Sequence, residues 1–274
     1  MSVKSYDTKA IFYDSYRTHC PGWNECLSLL DVKNTDSILD LGCGTGSFTQ
    51  KLWDLQPNNI LGIDPSKEMY SIATKKLINT NIQLGNYLLD DPKLENQKFN
   101  LIFCSQVLQN LTLQLDIAKS TRLDFYQQIY QHLLPGGQLL LTTRYFPKDK
   151  DYSVMYWYAD KNIIPKSVNH MNTIIGNNID GELKECGFEN VRQNISNDLI
   201  YHPDYYKLNK IKDEKWRAAD SFWSHISRYN ELDTLIQFID DLESNNQLSQ
   251  YIEQRDLLRN RVGHIRIISA YKPR

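Results

Sequence analysis

Glycine recurs at 42, 44 and 46, directly after a short apolar run that carries an acid, Asp40. The run, Ser37-Ile38-Leu39-Asp40-Leu41, is rich in strand formers, and Ser47 to Leu55 reads as a helix. Strand, glycine turn and helix make a cradle for a nucleotide-type cofactor. Glycine takes positive φ without steric penalty and lets a ligand touch the main chain. A second apolar run, Asn59 to Ile63, ends at another acid, Asp64. It lies about 20 residues past the glycines, where βαβ cofactor folds place the acid that accepts from ribose hydroxyls. A carboxylate suits a diol because it offers only acceptors. Helix capping is an alternative duty for Asp64, but Ser66 follows Pro65 and can cap the next helix itself.

The spacing is G-x-G-x-G and not the G-x-G-x-x-G that seats a pyrophosphate on a helix N-terminus. Leu39-Asp40-Leu41-Gly42-Cys43-Gly44-Thr45-Gly46 resembles motif I of the class I S-adenosylmethionine-dependent methyltransferases. Leu133-Leu134-Pro135-Gly136-Gly137-Gln138-Leu139 is similar to the family's L-x-P-G-G-x-L turn, whose role is structural. The family pattern covers about half the chain, and its style is that of small-molecule methyltransferases of the trans-aconitate and ubiquinone-biosynthesis type.

The resemblance implies a site. Asp40, Gly42, Cys43 and Gly44 fall on the loop that packs against the methionine part of S-adenosyl-L-methionine. Pro65 and Met69 follow the ribose-binding Asp64 and flank the adenine. Asn86 stands where many members carry an adenine-binding Asp, and the Tyr87 backbone is a further adenine partner. The stretch from Tyr6 to Arg17 resembles an opening that closes over the cofactor, which nominates Tyr13 and Arg17. Arg17 either pairs with the methionine carboxylate or is solvated surface. Ser105 and Gln106 end the fourth strand, which faces the methyl group in this fold, and Gln109 follows. Gln106, Gln109 and Arg144 are the candidates for acting on the acceptor. The glutamines can orient a group but do not titrate near neutral pH. Arg144 either reaches into the acceptor chamber and favours an acidic group or sits in a surface salt bridge. No Asp-Pro-Pro-Tyr or Asn-Pro-Pro-Tyr run of amide and base N-methyltransferases is present.

These residues need a scaffold. Apolar runs at 37–41, 59–64, 81–84, 98–106, 139–144, 188–195 and 264–270 alternate with helical periodicities at 46–55, 66–78 and 121–134. The pattern predicts an α/β fold: a Rossmann-like, mostly parallel seven-stranded sheet with helices on both faces. About 70 residues then separate the last two strands, where simple family members have a hairpin. Trp216, Ala219, Trp223 and Ile226, then Leu232, Leu235, Ile236, Ile239 and Leu242, then Leu248, Tyr251 and Ile252 follow helical spacing. They predict a helical cap inserted before the last strand. One methyltransferase domain is expected over 1–274. N-terminal helices occupy 5–30, the core 32–145, 182–195 and 264–272, and the cap about 146–180 and 200–260.

Composition narrows the partners. The 274 residues carry a net charge of −2, with no global basic field, which argues against nucleic acid. No apolar run reaches the ~20 residues of a membrane span, and no apolar leader opens the chain, so a cytoplasmic protein is expected. The five cysteines, none in C-x-x-C, read as reduced thiols. No two of the six histidines share metal-ligand spacing, so no metal site is expected. His132 and His264 read as structural. His170, His202 and His225 fall in lid-like segments where a base is conceivable but packing is the commoner role. Trp216 and Trp223 read as core, and one of Tyr156, Trp157 and Tyr158 is expected at the pocket.

Two functions compete: methyl transfer to a small-molecule acceptor, and cofactor binding by a regulatory or partner-binding protein without catalysis. A nicotinamide oxidoreductase is disfavoured by the glycine spacing. The accepting atom and the oligomeric state have no sequence signal.

Overall fold

The strands are β1 (Ser37–Leu41), β2 (Asn59–Ile63), β3 (Gln83–Gly85), β4 (Phe99–Ser105), β5 (Leu133–Arg144), β6 (Glu189–Ser196) and β7 (Ile265–Tyr271). In this computed structural model they form one mixed sheet in the order β3-β2-β1-β4-β5-β7-β6. The structure describes residues 20–147, 160–199, 207–218, 220 and 222–274, and Ala10, Tyr13 and Asp14 before them. Only β7 runs antiparallel to its neighbours, β5 and β6. β1, β2 and β4 are continuous apolar runs because both faces of a parallel sheet are covered. Ile38, Leu39, Ile102 and Phe103 are fully buried, each worth about 1.5–3 kcal/mol of apolar transfer.

The strand order reverses between β1 and β4. Asp40 is level with Gly62, and Leu41 with both Ile63 and Cys104. The loops after β1, β2 and β4 therefore leave the sheet together, at a topological switch point where α/β sheets open a crevice.

The helices are α1 (Trp23–Leu29), α2 (Ser47–Trp53), α3 (Lys67–Lys76), α4 (Ala118–His132), α5 (Pro165–Ile175), α6 (Ile179–Glu185), α7 (Glu214–Ala218), α8 (Phe222–Arg228), α9 (Leu232–Ser244) and α10 (Leu248–Val262). Ser66 caps α3 by accepting from the Met69 N–H at 3.3 Å, so Asp64 is spared that duty. Of the expected 5–30 helical segment, residues 5–9, 11, 12 and 15–19 lie outside the described residues. The helical periodicity from Trp216 to Ile226 is divided between α7 and α8. Asp220 is the reason: its carboxylate accepts from the Phe222 N–H at 2.8 Å, a local bond that opens a new helix. Trp216 and Trp223 are buried and meet edge to face, 5.6 Å between centroids, as core residues do.

One strand boundary differs from expectation by more than two residues. β5 begins at Leu133, not Leu139, because the Pro-Gly-Gly segment is drawn into the sheet as an irregularity opposite Phe99–Leu101. Gly137 permits this: a Cβ there would lie 2.8 Å from the Leu134 carbonyl and 3.1 Å from that of Phe99. The segments between β5 and β6 and between β6 and β7 pack on each other. α5 lies against α8, against α4 and against a 3-10 turn at Leu108–Asn110. Glu231, just before α9, receives the α5 N-terminus from Lys166 N–H and Ser167 N–H, both at 2.9 Å, and from the Ser167 hydroxyl at 2.5 Å.

Candidate functional site

A cavity of about 580 Å³ opens at the switch point. From the glycine loop it is lined by Gly42 and Gly44, and from the β2 end by Asp64, Pro65 and Met69. The loop is fastened to β2. Gly42 N–H and Cys43 N–H both donate to the Ile63 carbonyl, at 2.9 and 3.0 Å. Gly44 N–H donates to Asp64 Oδ2 at 2.9 Å, and Ser66 N–H to Asp64 Oδ1 at 2.9 Å. Asp64 therefore holds the loop and at the same time lines the cavity. Gly42 has φ 76°, and a Cβ there would sit 2.5 Å from the Val107 side chain. Gly44 has φ 56° with open space where its Cβ would be. A cofactor can approach the backbone there, which is the fit that a class I methyl donor requires.

Asp40 and Cys43 do not line the cavity with their side chains. Asp40 is 1% exposed and accepts from the Thr49 hydroxyl at 2.6 Å, tying β1 to α2. Burial pushes its carboxyl up to about 7, the Thr49 bond opposes that, and the nearby Asp64 charge adds to it. Cys43 packs its sulfur against Gly62. Burial pushes its thiol well up, so it is no nucleophile. Asn86 also turns away: its amide donates to the Asp64 carbonyl at 3.0 Å, bracing the β2 end. Tyr87 does line the cavity. So does Tyr13, whose neighbour Asp14 accepts from Thr45 at 2.5 Å and pairs with Lys76 at 2.7 Å. Arg17, Tyr156, Trp157, Tyr158 and His202 lie outside the described residues.

At the end of β4 the cavity meets Ser105, Gln106, Gln109 and Asn110. The Ser105 and Thr142 hydroxyls bond at 2.8 Å. Gln106 has φ 57°, a left-handed conformation costing a side-chain-bearing residue roughly 1–2 kcal/mol. Three bonds hold it there. Its N–H donates to the Thr142 carbonyl at 2.9 Å, and its own carbonyl accepts from Gln109 Nε2 at 2.6 Å and Asn110 Nδ2 at 3.1 Å. Both amide nitrogens are thereby fixed, so both amide oxygens point elsewhere. Gln109 is 3% exposed, and its Oε1, like Asn110 Oδ1, has no hydrogen-bond partner among the described residues.

Arg144 is not at the cavity. It is 1% exposed, donates to Asp220 Oδ1 at 2.6 Å and lies over the Phe222 ring at 5.6 Å. Its charge is taken in a buried ion pair that joins β5 to the start of α8, neither at the surface nor in the chamber. The cavity also has walls the sequence reading missed. One is Leu88-Leu89-Asp90, just after β3. The other is the α4 stripe Thr121, Asp124, Phe125 and Gln128. The i, i+3, i+4, i+7 spacing of the stripe was a usable signal, hidden beside the core face of Ile129 and Leu133.

None of the described histidines lines the cavity. His170 Nδ1 meets the Tyr229 hydroxyl at 2.5 Å, and its ring lies tilted against that of His225, 4.8 Å between centroids. Burial holds His225 down at about 3, and His170 and Arg144 push the same way. No group of three or more potential metal ligands occurs among the described residues. No described helix is long and apolar enough to cross a membrane.

The methyltransferase-domain family matches residues 20–193. The chain is 28% identical over 154 residues to an uncharacterized methyltransferase of Anoxybacillus flavithermus, covering 56% of this chain and 68% of that one. It is 27% identical over 143 residues to a methyltransferase-like protein of Schizosaccharomyces pombe, and spans about half the length of that relative (51%). In fold it resembles Haemonchus contortus phosphoethanolamine N-methyltransferase 2, solved with phosphomonomethylethanolamine and S-adenosylhomocysteine. The TM-score is 0.55 at 17% identity, over 98% of this chain and 58% of that one.

Proposed function

The chain belongs to the methyltransferase-domain family, of the class I S-adenosylmethionine-dependent kind, and on that premise we propose that it methylates a small molecule held in this cavity. When bound, S-adenosylmethionine supplies an electrophilic methyl group on a sulfonium. The observation that carries the reading is Asp64. It fastens the glycine loop through Gly44 and lines the cavity, where its carboxylate suits a ribose diol because it offers only acceptors. Gly42 and Gly44 leave the backbone open to the methionine part, while Pro65, Met69 and Tyr87 flank the adenine. Tyr13 closes over it, and Arg17 is assigned to the methionine carboxylate on the sequence resemblance alone. Asp40, Cys43 and Asn86 serve by holding the loops in place. Ser105, Gln106 and Gln109 face the methyl group and orient the acceptor.

We assign the turnover mainly to alignment and exclusion of water, which supplies roughly 7–11 kcal/mol in favourable intramolecular cases. The domain is one unit over 1–274, with 146–180 and 200–260 as its cap. The packing of α5 on α8 and on the Leu108–Asn110 turn supports that role, because the cap then backs the acceptor wall. A cytoplasmic enzyme acting on metabolites fits the charge balance.

Incubation with methyl-labelled S-adenosylmethionine and separate metabolite, tRNA and protein fractions tests this. Label is expected in the metabolite fraction. Label confined to tRNA or intact protein would overturn the small-molecule assignment.

A further inference from the structure

We propose that Asp14 is a positioning residue for the methyl donor: it fastens Tyr13 at the cavity by bonding the glycine loop and the end of α3. The proposal rests on the cofactor reading above and adds a residue to it. Tyr13 and Asp14 are adjacent and helical in backbone, so their side chains leave the axis about 100° apart. Tyr13 lines the cavity. Asp14 turns to the loop instead, where its Oδ1 accepts from the Thr45 hydroxyl at 2.5 Å. Its Oδ2 pairs with Lys76 Nζ at 2.7 Å. Each carboxylate oxygen is thus held by a different element, which fixes the rotation of the side chain as well as its distance.

The anchors are themselves fixed. Thr45 stands between Gly44 and Gly46 and is 2% exposed. Gly44 N–H is held by Asp64, and Gly46 N–H donates to the Cys43 carbonyl at 3.0 Å. Lys76 is the last residue of α3, where the helix dipole favours a cation. Its ammonium also donates to Ser47 Oγ at 3.1 Å and to Thr45 Oγ1 at 3.4 Å. The Thr45 hydroxyl therefore donates to one partner and accepts from the other, which uses both of its capacities. The loop that the donor touches and the residue that places Tyr13 share one polar junction.

This junction bears on binding more than on folding. The Lys76 and Asp14 side chains are 33% and 34% exposed, and an ion pair at that exposure adds little to stability. The Thr45 bond is buried at the hydroxyl end and has a charged acceptor, the stronger class of hydrogen bond. Its consequence is local: it sets how often Tyr13 stands at the cavity. The apparent affinity of a site scales with the fraction of time the site is complete. With Tyr13 in place about a fifth of the time, the donor would bind about fivefold more weakly.

The test is calorimetric titration of the full chain with S-adenosylhomocysteine in four forms: wild type, Asp14→Ala, Tyr13→Ala and the double variant. Asp14→Ala is expected to weaken binding about threefold or more, with a melting temperature within about 3 °C of wild type. In the Tyr13→Ala background the same change should weaken binding less than about twofold, because Asp14 then has no ring to position. A smaller loss than threefold in Asp14→Ala overturns the proposal. So does a loss of twofold or more in the Tyr13→Ala background, which assigns Asp14 to the glycine loop alone. If Asp14→Ala melts more than 3 °C low, Lys76→Met takes its place in the cycle and breaks the ion pair alone. Its loss should be about twofold or more with Tyr13 present and less without it, and any other result overturns the proposal. Absence of saturable binding by the wild-type chain overturns the cofactor reading and the proposal with it. Saturable wild-type binding with Asp14→Ala unchanged overturns the proposal alone.

Discussion

Asp64→Ala should weaken S-adenosylmethionine binding roughly 5- to 150-fold, the equivalent of about 1–3 kcal/mol for lost bonds to a charged acceptor. It should also lower the melting temperature. A residue that serves only the site leaves folding untouched, but Asp64 also accepts from the Gly44 and Ser66 N–H groups. Removing it leaves those donors to find water and frees the glycine loop from the end of β2, at about 1–2 kcal/mol. For a chain of this size that is a few degrees. Asp64→Asn keeps one carbonyl oxygen and should recover part of both losses. Thermal melts and calorimetry on the same preparations separate the effects. Full affinity with a lowered melting temperature would make Asp64 a structural tie alone.

Asp220→Ala should be the more destabilising change. Arg144 and Asp220 are 1% and 0% exposed in their side chains and meet at 2.6 Å. Truncating the acid takes the carboxylate away from a buried guanidinium, a loss typically of about 3–5 kcal/mol. The N-terminal bond of α8 goes with it. The melting temperature should fall by roughly 6–20 °C at the usual 2–4 °C per kcal/mol. Arg144→Met combined with Asp220→Leu removes both charges and should recover much of the loss. Cofactor affinity of the folded fraction should stay near wild type, because Arg144 does not line the cavity. A melting temperature within 2 °C of wild type would contradict the pair's structural weight.

What could be read from the sequence follows from range. Parallel strands buried on both faces appear as unbroken apolar runs, so β1, β2 and β4 stood out within a residue or two. The glycine loop and Asp64 are local in sequence and carry a spacing. The partner of Arg144 is 76 residues away and depends on how α8 packs, which no local pattern encodes. Asp40 and Asn86 look like ligand residues by type, yet their nearest acceptors and donors belong to the fold. Gln109 was legible as a position near the methyl group. That its nitrogen is committed and its oxygen free comes only from the left-handed turn at Gln106.

The central claim is that the cavity at the β1–β4 switch point is built for S-adenosylmethionine. Isothermal titration with S-adenosylhomocysteine and, separately, NAD tests it most directly. The structure predicts saturable binding of S-adenosylhomocysteine at one site, lost or weakened in Asp64→Ala, and no saturable binding of NAD. Saturable NAD binding without S-adenosylhomocysteine binding would contradict it.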